Sequence, residues 1–454
     1  MSGERLREEL ARIAEGAPQV ELPADLYARG RRATGRARLL AAGAAVACIA
    51  LLVAVVTPAL QDDHTPIAGD AGLGVPNHIH AVPRYVTDRE KSFQIGIGAA
   101  AFVTEERTAV VVDGATGDYH LFDLDGLLGA DPDSSVELTV SMDNPPVALS
   151  PDGRYLAWGW VEPGPSSGTQ LKGSGIRIAD LDTGAVREID VVDSDSSQAY
   201  RVLVNQVSWA PGGQWLAWGG TRVTEWTSST FNSNGYLAGT VNTDAGDTTM
   251  TRLPEPTIET DQETPAGDVP FVVAVSNEGE LSAISGNLWW RVAGQERISL
   301  RGDQRISTLW SAGDRWFALV HSDTGDEVPM VRELPGGPDR AATTLASKPR
   351  ILGVLSDGRL LSHEGVVDEQ AGPPPIVEAI TPDGAAERVI DVDPGVLGLT
   401  IAADLITPEQ LTVGRPAPDW PWATERKLVV GGLVLLGLVL LGGVVLGARR
   451  LSTR

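Results

Sequence analysis

Six histidines, one cysteine and two clusters of aspartates are the residues with which this chain of 454 could do chemistry. The lone thiol, Cys48, lies inside an apolar run, so the chain forms no intramolecular disulfide and no thiolate metal cluster. Of His64, His78, His80, His120, His321 and His363, only His78 and His80 share one face of a strand, which makes a two-ligand metal edge. Spacing provides no third ligand, so both read as solvent-facing side chains near the start of a domain. Asp123, Asp125, Asp131 and Asp133, and Asp190, Asp193 and Asp195, offer oxygen ligands for Ca²⁺. Neither group matches the spaced loop with its closing Glu, so both read as solvated turn residues. No α/β domain carrying a Gly-x-Ser-x-Gly elbow follows the repeats, and there is no Gly-Lys-Ser/Thr phosphate loop, no His-Glu-x-x-His and no Asn-x-Ser/Thr acceptor. The sequence therefore assigns no catalytic, cofactor-binding or metal-ligating residue, expects no cofactor, and reads as non-enzymatic.

The elements that would carry any site repeat along the chain. LSPDGRYLAW at 149–158 and WAPGGQWLAW at 209–218 align without gaps, and weaker copies follow at 275–284, 310–319 and 354–363. Asp-Gly, Gly-Gly or Glu-Gly supplies the positive φ of a two-residue hairpin turn, and the flanking residues alternate as a half-buried strand requires. A third strand ending in an acidic turn follows, as in IRIADLDTGAVREIDV at 176–191, where Asp-Thr-Gly leads into a fourth. The same order reads YHLFDLDG at 119–126 then VELTV at 136–140, and LWWRVAG at 288–294 then ERISL at 296–300. Four strands per unit make a propeller blade. Six units begin near Phe93, Val147, Val204, Val269, Ile306 and Arg350, and the leftover strands at 79–86 and 396–403 suffice for a closing seventh. Nine of the ten tryptophans between Trp158 and Trp316, all but Trp226, are read at or beside strand positions and belong between blades, with one member of the Trp289–Trp290 pair facing away.

SPDGRYLAW and IADLDTG resemble the repeats of TolB-like and related WD-like bacterial β-propellers over roughly residues 79–414. The resemblance implies an all-β propeller of six to seven four-stranded blades. The motif lacks the spacer between Asp152 and Gly153 that the Asp box of sialidase propellers carries. Residues 221–268, rich in Thr, Ser, Asn and Asp, lengthen the third unit and read as an insertion on one face.

Residues 39–60 and 428–448 contain no charged side chain and are 22 and 21 long. That matches the roughly 20 residues a helix needs to span a bilayer. Arg29, Arg31, Arg32, Arg36 and Arg38 precede the first run, while 61–83 hold no Lys or Arg, so the N-terminus stays cytoplasmic. The second crossing returns the C-terminus inside, with Arg449, Arg450 and Arg454 after it, and Trp420 and Trp422 stand where an interfacial belt would. The expected order is thus a cytoplasmic Arg-rich segment 1–38, a transmembrane helix 39–60, an extracytoplasmic propeller domain 61–427, a transmembrane helix 428–448 and a cytoplasmic tail 449–454. Leu6, Leu10 and Ile13 recur at helical spacing, so a short amphipathic helix opens the cytoplasmic segment.

Between the two charged ends the chain holds 25 basic and 54 acidic residues, which repels phosphate backbones and excludes nucleic acid as the partner. The expected function is a non-enzymatic, membrane-anchored binding or scaffold protein whose propeller recognises a protein, peptide or envelope component. The alternative is a transmembrane signalling regulator: the propeller senses outside and the 1–38 segment engages an anti-sigma-like cytoplasmic partner.

Overall fold

Each repeat becomes one antiparallel sheet, and the computed structural model contains six. It describes residues 72–83, 86–127, 145–164, 171–194, 199–226, 231–253, 271–285, 288–291, 296–299, 304–312, 315–322, 330–335, 339–341, 349–355, 359–364, 376–381 and 385–407, with Arg7, Glu8, Ala11, Arg12, Glu15 and Gly432. The chain divides into two units, and the sheets belong to the one spanning Asp63–Ala423. In the other unit the described residues, Arg7, Glu8, Ala11, Arg12, Glu15 and Gly432, are helical. No helix among the described residues is long and apolar enough to cross a membrane; the runs 39–60 and 428–448, with Leu6, Leu10, Ile13, Trp420 and Trp422, lie outside the described residues.

Blade 2 consists of Val147–Leu149, Tyr155–Glu162, Gly173–Asp180 and Val186–Asp190. Blade 3 consists of Tyr200–Trp209, Trp215–Trp226, Phe231–Asn242 and Thr248–Arg252, with the short strand Val192–Asp193 on its first strand. Blade 4 is Phe271–Val275, Leu281–Ser285, Leu288–Arg291 and Glu296–Ser299; blade 5 is Gln304–Ala312, Arg315–Ser322, Met330–Leu334 and Asp339–Ala341. Blade 6 is Pro349–Val354, Leu360–Glu364, Ile376–Ile380 and Ala386–Val392. Blade 1 breaks chain order: its first strand, Leu397–Ile401, pairs with Gly98–Val103, followed by Ala109–Asp113 and Tyr119–Phe122.

This closure corrects the blade count. The strand at 396–403 is the innermost strand of blade 1, and only His78–Ile79 of the 79–86 stretch adds to a sheet, pairing parallel to the edge of blade 6 at Asp391 and Val392. A seventh blade would leave both strands with exposed edges; absorbing them into blades 1 and 6 pairs those edges and ties the ring across its seam. Tyr119–Phe122 is a fourth strand and not a third, and 136–140 lies outside the described residues.

Apolar clusters sit at every junction of the ring. Phe102 and Leu361 share one between blades 1 and 6, Phe122 and Trp158 one between blades 1 and 2, and Trp218 and Ile178 one between blades 2 and 3. Ala217 and Val273 join blades 3 and 4, Trp289 and Trp316 join blades 4 and 5, and Trp310 with Val354 joins blades 5 and 6. Central strands are therefore buried on both sides, as in Gly98–Val103, the second strand of blade 1, where all six residues are buried, and continuous apolar runs replace the expected alternation. Alternation survives at the rim, where Val186–Asp190 buries only Ile189.

Two further expectations change. The hairpin between Leu149 and Tyr155 is longer than a two-residue turn: the Gly153 N–H donates to Ser150 O at 2.9 Å, the Ser150 N–H donates to Tyr155 O at 2.8 Å, and Gly153 takes φ +75°. Pro151 occupies the second position, where its fixed φ suits such a turn. Most of the described residues in 221–268 are strand, because Trp215–Trp226 and Phe231–Asn242 pair over their length and carry polar side chains outward; 227–230 and 254–270 lie outside the described residues.

Antiparallel alternation places the first-to-second and third-to-fourth turns of each blade on one face, and the second-to-third and blade-to-blade connections, which include the longest, on the other. The chain enters and leaves the ring on the tight-turn face. The Gly74 N–H donates to Gly114 O at 2.9 Å, and Leu405 Cδ1 lies 3.3 Å from where a Cβ on Gly114 would stand.

Candidate functional site

First strands of all six blades line one axial cavity of about 130 Å³, contributing Thr400, Leu149, Ser208, Val273, Ser311 and Gly353 in blade order. That is room for about four waters and well under the roughly 300 Å³ of a small-molecule pocket. Its polar groups hold blades together. Thr400 Oγ1 accepts the Leu149 N–H at 3.2 Å, Gln206 Oε1 accepts the Val273 N–H at 3.1 Å, and Ser311 Oγ donates to Val275 O at 2.9 Å. Asp404 stands at the mouth; burial first, then the charge of Asp152, raises its carboxyl above the usual range.

The tight-turn face repeats one device that is plain in the sequence only at DLDTG in blade 2. Asp113, Asp180 and Asn242 each end the third strand of blades 1, 2 and 3 and cap the following turn with Oδ1. The acceptors take Ala115 and Thr116 at 2.6 and 2.8 Å, Asp182 and Thr183 at 3.0 and 3.2 Å, and Asp244 and Ala245 at 3.0 and 2.9 Å. A Gly with positive φ closes each turn, at Gly117, Gly184 and Gly246. DGATG, DLDTG and NTDAG are thus one motif, legible in the sequence once Asn is read as equivalent to Asp. These acids serve the backbone.

The acidic clusters separate by environment. Asp123 is exposed and pairs with Arg89 at 3.2 Å, Asp190 pairs with Arg201 at 2.9 Å, and Asp125 is exposed; Asp131, Asp133 and Asp195 lie outside the described residues. Asp193 is not a solvated turn residue. Its side chain is fully buried and clamped by Arg252 Nη2 at 2.9 and 2.8 Å and by Arg222 Nη1 at 3.5 Å. A carboxylate without water needs such cations, so the aspartate binds blade 3 across its strands.

His78 and His80 do share a face, and the fold delivers the third group that spacing could not. Asp393, at the end of blade 6, places Oδ1 2.7 Å from His78 Nε2 and Oδ2 3.4 Å from His80 Nδ1. The imidazoles stack with centroids 4.2 Å apart and planes at 23°. The Ala81 N–H donates to Asp393 Oδ2 at 3.1 Å, and the Tyr119 hydroxyl accepts the His80 N–H at 2.9 Å, so carboxylate and ring are both held. Partial burial works against ionising Asp393, but hydrogen bonds from His78 and Ala81 and the nearby imidazoles hold its pKa below the ordinary value. Burial, aided by the Asp393 charge, raises the Tyr119 phenol. Among the described residues these three side chains are the group with the composition and spacing to hold a metal ion. His120 instead faces Glu90 at 3.1 Å, and His363 is buried in blade 6; His64 and the His321 side chain lie outside the described residues.

Tryptophans fill the blade junctions as the sequence leads one to expect. Trp158, Trp218, Trp289 and Trp316 are fully buried, while Trp290 turns partly outward.

No protein-family model matches this chain, and no curated protein matches it. Solved structures do. The β-propeller domain of the Trilobed protease from Pyrococcus furiosus is 10% identical, with 70% of this chain and 98% of that one covered at TM-score 0.32. An uncharacterized protein from Listeria monocytogenes is 10% identical, covering 70% and 86% at TM-score 0.34. The acylaminoacyl peptidase of Pyrococcus horikoshii is 12% identical, covering 67% of this chain and 54% of its own at TM-score 0.33. The chain itself folds as a six-bladed β-propeller, closed by its own C-terminal strand.

Proposed function

We propose that this chain is a non-enzymatic, TolB-like propeller held at the outer face of a membrane by helices at 39–60 and 428–448, with both termini cytoplasmic, and that it binds a protein, peptide or envelope component. One observation carries the reading: the ring is entered at Gly74 and left at Leu405 beside the same residue, Gly114, on the tight-turn face. Two membrane stems need neighbouring exits, and their position leaves the opposite face, with its longer connections, free for a partner. The narrow axial cavity favours a ligand that lies across a face over a small molecule within.

Crosslinking in native membranes, with the photoreactive group at exposed Glu105 on the long-connection face, tests this. Recovery of one defined macromolecular partner supports the reading, and an unlabelled face in growing cells overturns it. A second reading, regulation of a cytoplasmic partner by the 1–38 segment, is favoured by helical geometry at Arg7, Glu8, Ala11, Arg12 and Glu15. Replacing Leu6, Leu10 and Ile13 in the full chain separates the two, because only signalling loses its partner.

A further inference from the structure

We propose that His78, His80 and Asp393 form a binding site for a divalent transition-metal ion of zinc's class, and that the ion clasps the seam of the ring. The three groups come from opposite ends of the domain, 315 residues apart for His78 and Asp393. His78 lies on the entry strand beside blade 6, and Asp393 lies in the connection that leads from blade 6 to the closing strand. An ion bound here links the first and last turns of the propeller chain.

Geometry supports the assignment. Ligand atoms about 2.05 Å from a tetrahedral zinc ion stand about 3.3 Å from one another. The His80–Asp393 contact is already 3.4 Å, and the His78–Asp393 contact of 2.7 Å needs to open by only a small side-chain rotation. All three ligand atoms lie within 4.8 Å of one another. Two imidazole nitrogens and one carboxylate oxygen suit zinc, cobalt or nickel, whereas calcium and magnesium favour oxygen alone. Outer partners are present too: the Ala81 amide orients the carboxylate, and the Tyr119 hydroxyl fixes the backbone of His80. Side-chain exposures of 36, 25 and 37% for His78, His80 and Asp393 let an ion enter without unfolding and leave a coordination position for water. None of this depends on what the propeller binds.

The test uses the full chain in detergent, stripped with chelator and dialysed against zinc chloride. We expect one zinc per chain after desalting and a rise in melting temperature on the order of 4 °C at a hundredfold excess over Kd. His78→Ala, His80→Ala and Asp393→Asn should each weaken retention at least tenfold, while His120→Ala, whose ring faces Glu90, retains the metal. No retained zinc in the wild-type chain, equal retention by all variants, or loss in His120→Ala overturns the proposal. Should the seam variants fail to fold, cobalt substitution of the wild-type chain decides. Visible bands of a four-coordinate nitrogen and oxygen site support the assignment, and a six-coordinate aqueous spectrum ends it.

Discussion

At the scale of single residues, glycine and aspartate do work in this propeller that their surface propensities do not announce. Gly239 stands opposite Trp218 in the register of blade 3, and a Cβ there would lie 1.9 Å from Thr249 O and 2.6 Å from the indole. Neither a backbone oxygen nor a fully buried ring can yield cheaply. Gly239→Ala should therefore cost about 2 kcal/mol in urea unfolding, and an unchanged midpoint would show that the ring can shift. Asp180 offers a test of sign. Partial burial alone would raise its pKa, but Arg154 at 2.9 Å and the Thr183 and Asp182 amides prevail, so the folded value is depressed. Its stabilisation is then complete above the unfolded value of about 3.9 and is lost as pH falls through the folded one. Asn serves the same turn in blade 3, so Asp180→Asn removes only the charge. The variant should be less stable by about 0.5 kcal/mol at pH 7, since Arg154 is nearly half exposed and the pair is screened by water, and the difference should close as the pH falls through the folded value.

Among elements, the closing strand matters most. Leu397–Ile401 is short, yet it supplies the inner edge of blade 1, and Leu399 within it is fully buried against the seam cluster. Leu399→Ala should cost about 3 kcal/mol, and Val186→Ala, on the exposed outer strand of blade 2, close to nothing. Thermal melts of the two variants check this; equal shifts would mean that blade 1 holds without its borrowed strand. The clamp on Asp193 works at the same scale. It joins the short Val192–Asp193 strand to the second and fourth strands of blade 3 through Arg222 and Arg252.

For the whole molecule, the informative quantity is orientation. Cys48 is the single cysteine, so a Cys48→Ser background lets a membrane-impermeant thiol reagent report one introduced site at a time. Glu105→Cys on the long-connection face and Asp182→Cys on the tight-turn face are both at exposed positions. Labelling of intact cells should reach both, with Glu105→Cys faster by about tenfold if the tight turns stand near the bilayer and the partner face is empty. Reagent that reaches neither until cells are broken would place the propeller inside. The middle of the chain, with 54 acidic and 25 basic residues, also favours partners of positive charge, so binding should weaken as salt rises.

Much of this was written in the linear chain. Asp-Gly and Gly-Gly turns followed by YLAW or WLAW are local signals, because a turn and the strand after it are specified by neighbours in sequence, and their recurrence marked four-stranded blades from Val147 through Arg350. Tryptophan burial followed from the same repeats. What the tertiary structure alone decided is where distant segments meet. Six blades and not seven result because Leu397–Ile401 completes blade 1 while His78–Ile79 borders blade 6, a pairing across more than 290 residues that no local pattern encodes. Asp193 looked like its exposed neighbours until arginines from two later strands closed over it. His78 and His80 looked like an incomplete pair for the same reason: the missing carboxylate, Asp393, comes to them only when the ring shuts.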